Sequence, residues 1–174
     1  PKLELFAHPD TMHTTLLSSD HAGFDWINYY QPDAQELEEM SRHFNISSLL
    51  IQDVMQAEHL PKVEPLNEKE GFFLIARISD PESRDFTNIQ TVSRKLAIFY
   101  KQGELVTIHR GNFPWIRELP SKLNQSKTPL TGYLVVCKLL KECFRSFEPV
   151  VLKLSEDLDF FEQKLFSNEK FPPF

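Results

Sequence analysis

Two stretches in the first third of the chain place apolar residues at the spacing of an amphipathic helix. Between positions 34 and 44, apolar residues recur every three or four positions with acidic residues between them, which predicts a helix with one buried stripe. Asp33 followed by Glu36 has the spacing of a capping box at the start of this helix. A second helix is predicted at 47–57, where Ser47 is a favourable N-cap residue.

Short runs rich in β-branched and aromatic residues, bounded by turn-forming residues, predict strands. They lie at 3–7, 23–29, 62–64, 71–78, 92–100 and 105–109. Gly103 indicates a hairpin between the last two runs. A connecting loop is predicted at 80–88, and a further helix is predicted at 113–122. Hairpin and crossover connections together predict a mixed sheet covered by helices.

The last quarter of the chain carries a seam of apolar residues spaced alternately three and four positions apart over about four heptads. Its members are Cys137, Leu140, Phe144, Phe147, Val151, Leu154, Leu158, Phe161 and Leu165. The spacing predicts one long helix at 130–167, about 57 Å at 1.5 Å per residue, that is kinked at Pro149 and needs a partner helix. Two helices separated at Pro149 and folded back on the domain are the alternative. The predicted division is an α/β domain at 1–129 and a heptad-patterned helix at 130–174.

Composition narrows the class of protein. A chain of 174 residues with 41% hydrophobic and 25% charged residues is typical of a soluble domain, and no apolar run reaches the roughly 20 residues of a membrane span. The net charge of −6 has the wrong sign for binding nucleic acid through phosphates. Cys137 and Cys143 lie about 240° apart around a helix and cannot bridge each other there. Reduced cysteines and the lack of a signal peptide at the start predict a cytoplasmic location.

Candidate chemistry is sparse in this sequence. It has no G-x-S-x-G motif and no glycine-rich phosphate loop, and its cysteines lie in an apolar stripe, so we do not expect an enzyme. His8, His13 and His21 with Asp10 and Asp20 form a local group of metal-binding residue types. Because this group lacks the spacing of a zinc site, a polar loop is the simpler interpretation.

Asp53 is a candidate metal ligand. It lies on the second predicted helix, at the edge of the apolar face. A partner surface could reach it there. Mg²⁺ takes oxygen ligands and keeps several waters, so one or two carboxylates at a subunit junction suffice for a weak site. A solvated surface carboxylate is the alternative interpretation.

Six short motifs occur in one order along the chain: Trp26-Ile27-Asn28, Glu36-Leu37, Leu50-Ile51-Gln52-Asp53-Val54, His59-Leu60-Pro61-Lys62-Val63-Glu64, Phe72-Phe73-Leu74-Ile75 and Leu105-Val106-Thr107-Ile108-His109-Arg110. In order and spacing, this series resembles the amino-terminal cytoplasmic domain of the CorA family of magnesium and cobalt transporters. The later residues Tyr133-Leu134, Phe147, Pro149-Val150 and Glu156-Asp157-Leu158-Asp159 resemble the start of that family's long cytoplasmic helices.

The resemblance implies a three-layer α/β/α fold with a mixed sheet, followed by a long C-terminal helix. It also implies a regulatory, ion-sensing domain of a channel for Mg²⁺ or Co²⁺, located on the cytoplasmic side of the membrane. Its partners would be the protein's own stalk and transmembrane helices beyond Phe174 and four further copies in a homopentamer. We expect no nucleic-acid partner and no membrane insertion of this segment.

In the family, an Asp at the position matching Asp53 helps bind a regulatory Mg²⁺ between neighbouring subunits, with a carboxylate from the next chain's stalk helix. The metal ligands implied here are therefore Asp53 and Gln52, weak or inactive in the isolated domain. Gln52 replaces a Glu that is common in the family and brings an oxygen without charge, and Lys141 stands at another position that is commonly acidic. A zinc-transporting relative and a stand-alone module that pairs through its heptad helix are the alternatives.

Overall fold

The computed structural model describes residues 13–66, 71–83, 87–101, 103–125 and 129–167. The strands are β1 (His13–Leu17), β2 (Asp25–Tyr30), β3 (Lys62–Pro65), β4 (Phe72–Ser79), β5 (Ser93–Lys101) and β6 (Glu104–His109). The helices are α1 (Ser19–Ala22), α2 (Ala34–His43), α3 (Ser48–Met55), α4 (Ile89–Val92), α5 (Pro114–Asn124), α6 (Gly132–Arg145) and α7 (Glu148–Ser167).

The six strands form one mixed sheet in the order β1-β2-β6-β5-β4-β3. The strands β2 and β6 pair in parallel, whereas the other neighbouring pairs are antiparallel. At the parallel pair, Thr107 bridges two buried side chains of β2: it accepts a hydrogen bond from Trp26 Nε1 at 3.0 Å and donates to Asn28 Oδ1 at 2.8 Å. Because these polar groups are buried and mutually satisfied, they fix the register of the pair.

Helices cover both faces of the sheet. Successive side chains along β4, β5 and β6 point to opposite faces of the sheet and join two separate apolar clusters. One cluster lies under α5 and α6, with Trp26, Leu96, Leu105, Ile116 and Leu139 at its centre. The other lies under α2 and α3, with Leu37, Met40, Phe73, Ile75 and Val106 at its centre. The predicted three-layer α/β/α fold with a mixed sheet is therefore confirmed.

Local signals placed most of these elements correctly. The capping box predicted for α2 is present, with Asp33 accepting from the Glu36 amide and Glu36 accepting from the Asp33 amide. Ser47 caps α3 by accepting from the Leu49 amide. Gly103 has a φ of +81° in the β5–β6 turn, a conformation that glycine adopts without steric cost.

The structure differs from the prediction near the amino terminus. The predicted strand at 3–7 lies outside the described residues. The segment around His13, interpreted as a polar loop, contains the edge strand β1, in which Leu16 and Leu17 are buried beneath α5. The short helix α4 also follows the loop predicted at 80–88. The strand β1 and the helix α4 are very short, so they are stabilised by tertiary packing and show no hydrophobic periodicity by which the sequence could predict them.

The predicted long helix consists of two helices, α6 and α7, with Ser146 and Phe147 between them. Pro149 lies in the first turn of α7, where its missing N–H has no helical acceptor to lose. The helix α6 packs one face on the sheet, whereas α7 has no buried residue. Its apolar seam is largely exposed, at Val151, Leu154, Leu158 and Leu165. The domain boundary at 129–130 remains a prediction. Among the described residues, no helix is both long enough and apolar enough to cross a membrane.

Candidate functional site

The candidate metal ligand Asp53 lies near the end of α3. Ile51 and Val54 of that helix are buried against the sheet, so Asp53 falls at the border between the buried and the exposed face. Its side chain retains 21% of its exposure. The carboxylate is therefore accessible from solvent, as its place in the sequence pattern predicts.

Two side chains that follow α3 in the chain hold the Asp53 carboxylate. Lys62 on β3 donates to Oδ2 at 2.6 Å, and His59 Nε2 lies 3.1 Å from Oδ1. Lys62 also donates to Glu64 Oε1 at 2.6 Å. Lys62 and Glu64 are two residues apart on β3 and thus share the face of the sheet that α3 covers. The structure therefore joins Asp53, His59, Lys62 and Glu64 in one network.

The electrostatics of this network favour the charged forms. The hydrogen bond from Lys62 lowers the pKa of Asp53, and this effect outweighs the opposing effect of burial. Desolvation favours the neutral amine of Lys62, but its hydrogen bonds to Asp53 and Glu64 prevail and raise its pKa. Asp53 is consequently ionised at neutral pH, with a cation already beside it.

Two further cations bind backbone carbonyls at the end of α3 and in the segment that follows it. Lys95 Nζ donates to the carbonyls of Asp53 and Gln56, each at 2.5 Å. Arg77 donates to the carbonyl of Ala57 at 3.2 Å and to that of His59 at 3.1 Å. Burial and the nearby Arg77 charge lower the pKa of Lys95 to about 8. These contacts satisfy carbonyls that a helix end leaves without partners and fix the position of Asp53.

The other residues singled out by the sequence lie apart from this network. Gln52 is exposed one position earlier on α3, about 100° around the helix axis from Asp53. Lys141 is on α6, in the layer on the opposite side of the sheet. Cys137 is exposed and Cys143 is buried, and neither forms a disulfide.

Zinc-type ligand sets are not found in the part of the chain that the structure describes. No group of three or more His, Cys, Asp or Glu side chains there could hold a metal ion. Of the amino-terminal group considered above, His8 and Asp10 lie outside the described residues. The carboxylates of Asp53 and Glu64 lie on either side of the Lys62 ammonium group, so a cation that bound both of them would have to displace it.

Sequence reasoning singled out Asp53 as a candidate but missed the other three members of its network, His59, Lys62 and Glu64. Their signal was present in the motif His59-Leu60-Pro61-Lys62-Val63-Glu64, because alternate residues of a strand share a face. What the pattern could not give was the distance between β3 and α3, which depends on how the connecting segment folds.

Comparisons with known proteins agree with this fold. The family model described as CorA-like Mg²⁺ transporter protein matches residues 21–172. The cobalt/magnesium transport protein CorA of Methanocaldococcus jannaschii is 28% identical over 145 residues, which is 80% of this chain and 43% of that protein. The chain therefore spans less than half the length of this curated relative.

Solved structures give the same result. The complete structure of the CorA magnesium transporter from Methanocaldococcus jannaschii has a TM-score of 0.55 and 25% identity, with 96% of this chain and 48% of that chain covered. The ZntB cytoplasmic domain from Vibrio parahaemolyticus has a TM-score of 0.63 and 16% identity, with 79% of this chain and 55% of that chain covered. The second likeness shows a shared fold only.

Proposed function

Because the chain belongs to the CorA family of Mg²⁺ transporters, we propose that it is the cytoplasmic regulatory domain of a divalent-cation channel of that family. The observation that carries the proposal is the ionised, solvent-accessible carboxylate of Asp53, held in a fixed position at the end of α3. In this proposal Asp53 and Gln52 supply oxygen ligands to a regulatory Mg²⁺, which a carboxylate of the neighbouring subunit completes.

The regulation we propose is a shift between assemblies. A Mg²⁺ ion that bridges two subunits binds the closed assembly better than the open one, so a high cytoplasmic Mg²⁺ concentration favours closure. The full protein would be a homopentamer whose stalk and transmembrane helices follow this segment, and the transported ion would be Mg²⁺ or Co²⁺. The exposed apolar side chains of α7 support a further helical partner, because such a seam is normally covered.

The cation network gives this proposal a specific electrostatic feature. Lys62 donates to the Asp53 carboxylate, which is the proposed metal ligand, and also to Glu64. A Mg²⁺ ion must therefore displace the ammonium group or share the outer lone pairs of the carboxylate, which weakens binding. We propose that Lys62 keeps the affinity low, so that the site responds to Mg²⁺ only when it is plentiful.

A stand-alone interaction module is the second candidate, and the exposed α7 seam favours it. The two candidates require genes of different length. The first requires about 20 apolar residues twice in the downstream sequence, enough for two membrane spans. A reading frame that lacks both spans favours the module.

The isolated 174-residue chain should bind Mg²⁺ with a Kd above about 1 mM, because a single carboxylate leaves the ion mostly hydrated. Lys62→Gln should tighten binding about tenfold by leaving two carboxylates without their cation. An NMR titration that follows the backbone amides of α3 and β3 measures both values. Asp53→Asn in the Lys62→Gln background is the control and should abolish the gain. A micromolar Kd for the unmodified chain contradicts this prediction.

In the full-length channel, Asp53→Ala should raise the Mg²⁺ concentration that closes the channel by about tenfold, which corresponds to about 1.4 kcal/mol of lost preference for the closed assembly. Lys62→Gln should lower that concentration, and Gln52→Glu should lower it by adding a charged ligand. The measurement is channel current against cytoplasmic Mg²⁺.

Lys122→Gln is the matched control for the channel experiment, because it removes the same charge from an exposed ion pair with Glu118 on α5. Its curve should coincide with that of the unmodified channel. Coincident curves for the Asp53, Lys62 and Gln52 variants as well, in pentamers of normal size, place the sensor elsewhere and overturn the proposal.

A further inference from the structure

The parallel pair β2 and β6 creates a change of direction in the fold. After β2 the chain enters α2 on one face of the sheet, and after β6 it enters α5 on the opposite face. The carboxyl ends of two adjacent parallel strands with diverging connections form a crevice, and such crevices are the common ligand sites of open α/β sheets.

A crevice of about 500 Å³ lies at this end of the sheet on the side covered by α2 and α3. Its charged side chains are those of Arg77, Arg94, Lys95 and Arg110, and its neutral polar residues are Gln90, Ser93 and His109. Its apolar wall consists mainly of Leu37, Val54, Met55 and Ile108. The volume falls within the range of small-molecule sites, about 300 to 1,000 Å³.

The charge of this crevice is opposite to that of the whole chain. Four basic side chains line it, although the chain carries a net charge of −6. The carboxylates near these cations lie outside the lining: Asp80 pairs with Arg94, and Asp53 and Glu58 act on Lys95. Random placement of charges in an acidic chain does not favour such a grouping. Like charges confined to one partly buried space repel each other, and an anion between them relieves that repulsion.

The hydrogen-bond partners of these cations are mostly neutral. Within the described residues, Arg77 donates to backbone carbonyls and to the Ser93 hydroxyl at 2.7 Å. Lys95 donates to two carbonyls at the end of α3, and Arg110 donates to the Pro32 carbonyl at 3.2 Å. Arg94 pairs with a carboxylate, that of Asp80, at 2.8 Å. Three of the four positive charges thus have neutral acceptors.

From the crevice, its position and its charge, we propose that this site binds a small phosphate-bearing molecule whose body is apolar or aromatic. Arg110 would contact the phosphate directly, since a guanidinium presents N–H donors that match phosphate oxygens. Arg94 would contact it through the N–H groups that do not bind Asp80, because a guanidinium has five donors. Arg77 and Lys95, which are held by backbone carbonyls, would raise the positive electrostatic potential of the site without contacting the phosphate. The apolar wall would hold the rest of the ligand. This site is separate from the proposed metal ligands, because it involves neither the Asp53 carboxylate nor Gln52.

The test is isothermal titration of the 174-residue chain with inorganic phosphate, pyrophosphate and adenosine monophosphate in metal-free buffer. We expect saturable binding of adenosine monophosphate that weakens with added salt. Arg94→Gln and Arg110→Gln should each weaken it about tenfold, the effect of one charge-assisted hydrogen bond. Lys138→Gln is the control, because it removes an exposed charge from α6 in the other layer.

Three outcomes overturn the proposal. The first is that none of the probes binds at about 10 mM, a concentration well above the Kd of a typical small-molecule site. The basic residues would then serve only to hold the end of α3. An equal loss in Lys138→Gln shows that net charge alone attracts the anion. Equal affinities for inorganic phosphate and adenosine monophosphate remove the role assigned to the apolar wall. Thermal melts of each variant confirm that the folded chain is being titrated.

Discussion

Phe73→Ala should lower the free energy of unfolding by about 3 to 5 kcal/mol, the largest stability effect that we expect from one substitution in this domain. Phe73 lies on β4 with 0% of its side chain exposed, in the cluster under α2 and α3. Its ring stacks on that of Phe99 with centroids 4.5 Å apart. Removal of the ring leaves a cavity in a sheet that neighbouring strands hold rigid, so little collapse can compensate.

Phe166→Ala is the matched control for this prediction. Phe166 lies in the last turn of α7 and is 89% exposed, so the same chemical change there should alter stability by less than about 0.5 kcal/mol. Urea denaturation followed by circular dichroism measures both variants. Comparable losses for Phe73→Ala and Phe166→Ala contradict the packing described for the two layers.

The core also supports the candidate metal site. Lys62 Nζ lies 5.5 Å from the centroid of the Phe73 ring, in position for a cation–π interaction. The same ammonium group holds Asp53 and Glu64. The position of the Asp53 carboxylate therefore depends on a residue buried beneath the sheet face as well as on its own helix.

The parts of the fold that the sequence predicted are those with strong local signals. The helix α2 combines apolar periodicity with a capping box. The strands β4, β5 and β6 are rich in β-branched and aromatic residues, and Gly103 marks the turn between β5 and β6. Each signal depends on residues close in sequence. Periodicity alone could extend α6 into α7 because both helices keep the same heptad phase. The sequence marker of the interruption at Ser146 and Phe147 is Pro149, which lies in the first turn of α7 and is also compatible with a kink in one helix.

The parts that sequence reasoning missed depend on contacts between distant residues. The strand β1 is defined by pairing with β2, and its five residues, three polar followed by two apolar, do not show the alternation of a strand. The contact between Lys62 and Asp53 and the grouping of Arg77 with Arg110 in one crevice arise from strand order, which hydrophobic periodicity does not encode. The sequence therefore indicated Asp53 as a candidate, but not the cation that competes for it.

His109 at the end of β6 gives the second large prediction, because it is a buried histidine in an apolar setting. Its ring lies between those of Tyr30 and Phe113, with centroid distances of 5.3 Å and 5.6 Å. Nδ1 lies 2.8 Å from the Gly111 carbonyl, which can only accept, so Nδ1 carries the proton and donates. Within the described residues, Nε2 is buried without a hydrogen-bond partner.

Burial lowers the pKa of His109 from 6.5 to about 4, against a smaller opposing effect of the Gly111 hydrogen bond, and the positive charge of Arg117 lowers it further. Below pH 6.5 the unfolded chain therefore binds a proton that the folded chain does not bind. Stability should fall as the pH drops from about 6.5 to about 4, by about 1.4 kcal/mol per pH unit and about 3 kcal/mol in total.

His109→Asn should remove this dependence, because an asparagine amide can still donate to the Gly111 carbonyl but does not titrate. The measurement is the free energy of unfolding in urea at pH 4, 5, 6 and 7 for the unmodified chain and for the variant. We expect the stability difference between the two proteins to change by about 3 kcal/mol between pH 4 and pH 7, because the unfolded form of the unmodified chain takes up a proton over this range that the folded form does not, whereas the variant has no such group. His43→Asn, on the exposed surface of α2, is the control and should keep the slope of the unmodified chain. Parallel curves for all three proteins contradict the prediction. They would mean that His109 has the same pKa in the folded and the unfolded chain, and that burial of its ring does not govern acid stability.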